Sequence, residues 1–279
     1  MRALAPRRSP GPPLRSVLAA VARAPAADAA PAGHDLRRVP VYPPRAQRAV
    51  ELRPPGRGEA SGFHRAQELV ARLNGLAPTT SFRLEGRRLL YEALPDAAPT
   101  EFERQMRALI DRDEVLPMRL ITRAGLSFGQ PVFVDEMLTG YVDVDDLLAS
   151  DDRSLQLNLV HILTERGAVR DYARRIGTRF SRREFDRAHA AGIDAEVAVL
   201  RHELGDPTLR FVREITRARS VSFIFESDQG YRVVHRFGGG TRQRLRSGEL
   251  TVRTADGDEL TIDEFLNQQP LPAAAAPAP

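Results

Sequence analysis

The chain has 279 residues, 41 basic and 37 acidic side chains, and no cysteine. That length suits one domain or two small ones, and a hydrophobic content of 42% is that of a globular protein rather than one disordered throughout. Without cysteine there is no disulfide-stapled fold, no cysteine-ligated zinc or iron–sulfur site and no thiol nucleophile; no apolar run approaches the ~20 residues of a transmembrane helix.

All 41 cations are arginine, which excludes Schiff-base chemistry and a P-loop lysine. The bias suits a GC-rich genome, or a protein delivered into another cell, where missing ubiquitin-acceptor sites would prolong its life. Charge is unevenly distributed. Residues 1–60 hold eleven arginines against four acids and eleven of the 21 prolines, while residues 61–279 hold 30 arginines against 33 acids. The excess positive charge therefore belongs to an N-terminal stretch and not to a folded face, which argues against a nucleic-acid-binding domain. Pro10-Gly11-Pro12-Pro13, the Ala/Pro run over 24–32, Pro43-Pro44 and Pro54-Pro55 predict a disordered basic tail over 1–60. Leu14–Ala22 is apolar but short, carries Arg15 and is followed by Arg23, a poor secretory signal. Residues 269–279 read as a second Ala/Pro tail.

A globular part is expected over 61–268: a mixed α/β portion over 61–150, a helix pair over 151–205 and a β meander over 208–268. His64–Leu76 has helical periodicity, and Ser81–Leu84 and Leu89–Leu94 flank Glu85-Gly86-Arg87-Arg88 as a hairpin would. Thr100 and Glu103 form a capping-box pattern that starts a helix running to about Asp113. Short β-type runs follow at Met118–Thr122, Pro131–Asp135 and Tyr141–Val144. Two long helical patterns cover Asp151–Ile176 and Ser181–Leu204, the second opened by Ser181 and Glu184 and stopped by Gly205-Asp206-Pro207. Strand-like runs at Leu209–Ile215, Val221–Phe225, Tyr231–Phe237, Glu249–Arg253 and Glu259–Ile262 complete an α+β architecture: a mixed N-terminal layer, a central long-helix pair and a C-terminal antiparallel meander.

On helical wheels at ~100° per residue, Arg166 falls within the apolar stripe of the first long helix, with His161, Glu165 and Tyr172 on a more polar flank. His189, Glu196 and Glu203 fall on the inner face of the second. An unpaired buried charge costs several kcal/mol, so a structural network of Arg166, His189 and Glu196 is expected, with Arg166 paired to Glu196. The same region offers catalytic candidates: His161, Glu165, His189 and Glu196. His161 and Glu165, four residues apart, project from one helix face as two metal ligands can, and His189 or Glu196 could add a third. A His-Glu-x-x-His pattern is missing, because His161 is followed by Ile162, which takes no proton. The His202-Glu203 pair lies where Gly205 and Pro207 end the helix.

Weaker patterns remain. Gly238-Gly239-Gly240 is not followed by a helix, so a loop is expected over a phosphate cradle. Arg242, Arg244 and Arg246 suggest a solvated strand edge. Asp143, Asp145, Asp146, Asp151 and Asp152 match no calcium-loop spacing, and charge complementarity at a helix N-terminus accounts for Asp151 and Asp152.

Two stretches carry a family likeness. Arg8-Ser9-Pro10-Gly11 through Leu14, with Gly33-His34-Asp35-Leu36-Arg37-Arg38-Val39-Pro40-Val41-Tyr42-Pro43, resembles the segment leading into the core domain of bacterial proteins associated with extracellular contractile injection systems. Tyr141–Ser150, Leu159–Arg166, Tyr172–Thr178 and Ala188–Glu196 together resemble a domain of uncharacterised function that accompanies it. The resemblance implies a bacterial protein made in the cytoplasm beside a phage-tail-like particle and exported through it. The family core carries a predicted metallopeptidase His-Glu-x-x-His, absent from this chain. The leading expectation is thus an accessory or cargo effector that partners injection-particle proteins, its body non-catalytic or a degenerate peptidase, with no cofactor and no nucleic acid. An alternative is an active metal-dependent hydrolase, a toxin effector using His161, Glu165 and His189 with zinc. A third is a stand-alone protein-binding module.

Overall fold

The computed structural model describes residues 49–56, 60–94, 97–122, 134–217, 220–238 and 247–268. Val50–Arg53, which composition assigns to the tail, forms a strand, β1, with Val50 and Leu52 buried. Alternating apolar side chains outweigh the flanking prolines there because both neighbouring strands bond to it. Next come α1 (Ala66–Leu76), β2 (Thr80–Glu85), β3 (Arg88–Ala93), α2 (Glu101–Ile110) and β4 (Leu116–Ile121). The expected hairpin joins β2 to β3 across Gly86, whose φ of 62° favours glycine. Thr100 caps α2 with a complete capping box.

Then follow β5 (Asp135–Glu136), β6 (Tyr141–Asp143), α3 (Val144–Ala149), α4 (Asp152–Gly167), α5 (Tyr172–Arg175) and α6 (Arg182–Leu204). The predicted single helix over 151–176 is two: α4 ends at Gly167, and Asp171 turns the chain with a φ of 57° before α5. Ser181 caps α6 through the Glu184 amide, but the Glu184 carboxylate goes to Arg175, so the capping box expected there is half formed. Asp143 and Asp151 accept the first amides of α3 and α4, which accounts for much of the aspartate cluster.

The chain closes with β7 (Arg210–Arg217), β8 (Ser220–Glu226), β9 (Arg232–Gly238), β10 (Ser247–Arg253), β11 (Glu259–Thr261) and α7 (Ile262–Gln268). The strand expected over Glu259–Ile262 ends at Thr261, where Thr261 and Glu264 bond each other's amides as a capping pair does and start α7. Gly239, Gly240, Arg242, Arg244 and Arg246 lie outside the described residues.

Two sheets result, one mixed with order β2-β3-β1-β4-β6-β5, the other antiparallel with order β11-β10-β9-β8-β7. The architecture is α+β, as the patterning predicts. Strand β4 is buried on both faces, as a strand flanked by parallel neighbours requires. Helix α4 contacts β4 of one sheet, β10 of the other, and α2 and α6. It is therefore buried nearly all round, and no polar flank is left to water. Strand β10 docks on the start of α4: Asp151 accepts from the Ser154 amide and from the Leu250 amide, and Ser150 Oγ accepts from the Gly248 amide. A Cβ on Gly248 would stand 1.9 Å from Ser154 Oγ, so only glycine fits. Among the described residues no helix is long and apolar enough to cross a membrane.

Glu103 is buried and does two jobs. One carboxylate oxygen accepts from the Thr100 amide; the other takes the Thr79 amide at 2.6 Å and the Thr79 hydroxyl at 2.9 Å. Glu103→Ala should thus orphan three donors and lower stability by about 2–4 kcal/mol in urea unfolding; a change under about 1 kcal/mol would contradict that role.

Candidate metal centre

The approach of α6 to α4 sets the site. Gly192 lies mid-helix, where a Cβ would stand 2.9 Å from Cδ2 and Nε2 of His161. Glycine normally weakens a helix by about 1 kcal/mol relative to alanine, but here it lets the imidazole lie against the α6 backbone.

Glu196 of α6 is the hub of a buried network. Its Oε1 is 2.6 Å from His161 Nδ1 of α4, and its Oε2 is 2.9 Å from His235 Nδ1 of β9. His235 Nε2 is 2.7 Å from Ser154 Oγ, which Asn158 approaches at 3.5 Å. One placement of hydrogens satisfies every member. Asn158 donates to Ser154, Ser154 to His235 Nε2, and both Nδ1–H groups donate to the carboxylate. Burial by itself pushes the Glu196 carboxyl up, but the two imidazoles outweigh it and hold the group at about 2. Burial likewise pushes His161 down, and Glu196 together with Glu165 and Asp135 overcomes that, lifting the ring to about 9.

With Nδ1 committed to Glu196, Nε2 is the His161 nitrogen not held by a carboxylate, and a metal there would have to displace the second proton of the raised imidazole. One turn further along α4 is Glu165, also buried. His189 of α6 completes the group: the ligand atoms of His161, Glu165 and His189 all lie within 4.8 Å of one another. The separation of His189 Nδ1 from Glu165 Oε1 is 3.4 Å, close to the ligand–ligand edge of about 3.3 Å that tetrahedral zinc with bonds of about 2.0–2.2 Å would require. On its other side, His189 Nε2 stands 3.4 Å from Glu214 Oε2 of β7. A buried His–Glu–His group that could hold a metal ion is therefore present. Each of its histidines has a carboxylate against the ring nitrogen it does not need.

The expected Arg166–Glu196 pair does not form. Arg166 is fully buried but points the other way, donating to Pro117 O at 2.8 Å and to Tyr141 O at 3.3 Å, beside Asp135 at 3.4 Å and over the Tyr172 ring. The reason lies in the β4–β6 ladder, which starts at Arg119. One step earlier the Gly140 amide bonds to Glu136 O in the turn instead of to β4, and the guanidinium is the donor that Pro117 O receives. His189 likewise answers to Glu165 and Glu214 rather than to Arg166. Thus Arg166, His189 and Glu196 belong to three different sets of contacts. His202 is exposed and Glu203 pairs with Arg153; Asp206 is buried but ties Thr208 and Tyr231.

Sequence reasoning missed Ser154, Gly192, Glu214 and His235. His235 did carry a signal, a polar residue in the inward phase of Tyr231, Val233, His235 and Phe237. Glu214 carried none, lying on a mostly exposed strand.

The His–Glu–His group lines a half-open cleft of about 690 Å³, together with Asp135, Glu214, Arg182 and several phenylalanines. Asp135 is pushed up to about 6 by burial, with Arg166 opposing. No protein-family model, curated protein or solved structure matches the chain.

The two shifted groups give stability a pH signature in the metal-chelated protein. A raised imidazole stabilises below its ordinary value of 6.5, and that contribution disappears as pH rises through about 9. A lowered carboxyl stabilises above its ordinary 4.5, and its contribution disappears as pH falls through about 2. Unfolding midpoints should therefore show a full contribution between those ordinary values and decline from 6.5 to 9. Glu196→Gln should remove the alkaline decline; an identical profile in that variant would refute the pairing.

Proposed function

We propose that this protein is a zinc-dependent hydrolase whose metal is held by His161, Glu165 and His189. The observation that carries the reading is a carboxylate set against one nitrogen of each ring, hydrogen-bonded at His161 and at ion-pair distance at His189. Glu196 occupies His161 Nδ1, Glu214 stands against His189 Nε2, and both rings thereby keep one nitrogen for a centre shared with Glu165. Metal-binding histidines characteristically give their second nitrogen to a carboxylate, which fixes tautomer and orientation. Two histidines and a glutamate are a recognised catalytic zinc ligand set, and zinc held there would supply Lewis acidity and lower the pKa of water near neutral pH.

The chain's own groups cover the remaining needs. Glu196 holds the His161 ring by a hydrogen bond, and Glu214 faces His189 as an ion-pair partner 3.4 Å away. Asp135, in the same cleft with a carboxyl near 6, has a proton affinity suited to accepting and returning a proton at neutral pH. Arg166 keeps Asp135 in place from the sheet side. The missing His-Glu-x-x-His weighs against kinship with peptidases of that motif and not against a site assembled from two helices and flanked by a strand.

Zinc-loaded protein should hold one zinc per chain by mass spectrometry, and His161→Ala and His189→Ala should each abolish it. Glu196→Gln should weaken zinc by about 10–100-fold, and Asp135→Asn should keep the zinc but lose p-nitrophenyl acetate hydrolysis by about 100-fold or more. A wild type without stoichiometric metal overturns the reading.

The setting we propose is an effector cargo of a contractile injection particle. It rests on the resemblance of 8–14, 33–43, 141–150, 159–166, 172–178 and 188–196 to proteins of those systems and on the eleven arginines of residues 1–60, suited to an anionic docking surface. Removing residues 1–48 should abolish copurification with the particle; retention would exclude that segment as the docking element.

A further inference from the structure

The cleft that holds the His–Glu–His group is walled mainly by apolar side chains, and the walls adjoin the histidines themselves. Phe223 of β8 stacks on His161 at 5.8 Å between ring centroids, with an interplanar angle of 4°. Phe185 of α6 stacks on His189 at 5.7 Å and 10°. Phe180, Met137, Leu138 and Phe237 continue the lining. Leu138 is one of the three large apolar side chains among the described residues that stand well exposed, at 41%. An apolar side chain left open at the rim of a concave, part-polar cavity is a mark of ligand binding.

The charges select among ligands. Besides Glu165 and Glu196, the described lining carries Asp135, Glu136 and Glu214, against Arg182, which pairs with Asp186 on its own helix at 2.9 Å. Asp135 is offset by the buried Arg166. A bound divalent cation would be neutralised by Glu165 and Glu214, and the described lining then keeps Asp135, Glu136 and Glu196 against Arg182 and the His161 ring, so the cleft offers no excess of positive charge to a phosphoryl dianion.

We propose that the cleft binds an uncharged acyl compound, an amide or ester, whose carbonyl lies at the His–Glu–His group while an aromatic or branched aliphatic group beside it packs between Phe180, Phe223 and Leu138. The carbonyl half of this statement rests on the zinc reading above. The apolar half rests on the walls alone.

The test separates the two. On zinc-loaded protein, N-acetyl-phenylalanine hydroxamate is compared with acetohydroxamate and phenyl phosphate by calorimetry. On metal-chelated protein, N-acetyl-phenylalaninamide is compared with N-acetylglycinamide. Burial of one large apolar side chain corresponds to about tenfold to hundredfold in affinity, so the phenylalanine compound should win by at least about tenfold in each pair. Leu138→Asp and Phe180→Ala should each shrink that margin to below about threefold while zinc content is unchanged. Equal binding within both pairs, or phenyl phosphate binding more tightly than the phenylalanine hydroxamate, overturns the inference. A preference kept in the chelated protein when zinc fails to bind upholds the apolar pocket and refutes the metal reading instead.

Discussion

Burying a carboxylate costs several kcal/mol unless protons or cations meet it on every side, and Glu196 sets that condition at the centre of this protein. The side chain leaves α6 at the contact with α4 and accepts from His161 on α4 and His235 on β9. One group thereby fixes the relation of two helices and a strand of the antiparallel sheet. The rest of the network follows from it, since His235 needs Ser154 and Ser154 sits under Gly248 of β10. Loss of any one of these contacts would leave a polar atom without a partner where water does not reach.

The same constraint produces the site. A histidine whose Nδ1 is bound to a buried carboxylate has only its other nitrogen to present, and the α4–α6 contact brings it beside Glu165 and His189. Structural and chemical roles are therefore not rivals here. The network that closes the helix interface also fixes the His161 ring, so one ligand atom each from His161, Glu165 and His189 lies within 4.8 Å of the others. A second, separate arrangement serves Arg166, whose guanidinium ties the Pro117 and Tyr141 carbonyls together and stands 3.4 Å from Asp135 at the cleft wall. Two buried polar systems thus flank one cavity, one from the helices and one from the mixed sheet.

Local chemistry in the chain anticipated a good deal of this. The capping box at Thr100 and Glu103, the Gly86 hairpin, the stop at Gly205 and the antiparallel meander all follow from side chains acting on their nearest backbone. Short-range rules failed where a longer-range contact outweighed them. β1 forms among prolines because β3 and β4 lie on either side of it, and the helix predicted to reach Ile176 breaks after Gly167 because the chain turns at Asp171 to place Tyr172 in the core.

By itself the sequence determined the fold class, the helix over 181–204, most of the first long helix, and the inward faces of Arg166, His189 and Glu196, because helical periodicity assigns each residue a face. Only the tertiary structure decided who meets whom. A wheel describes one helix at a time, and partner choice depends on the rotation of α4 against α6 and on strands more than 30 positions away in the chain. Hence Glu196 takes two imidazoles and not a guanidinium. Arg166 goes instead to the backbone carbonyls of Pro117 and Tyr141, and Glu214, on a strand with no pattern of its own, stands against His189.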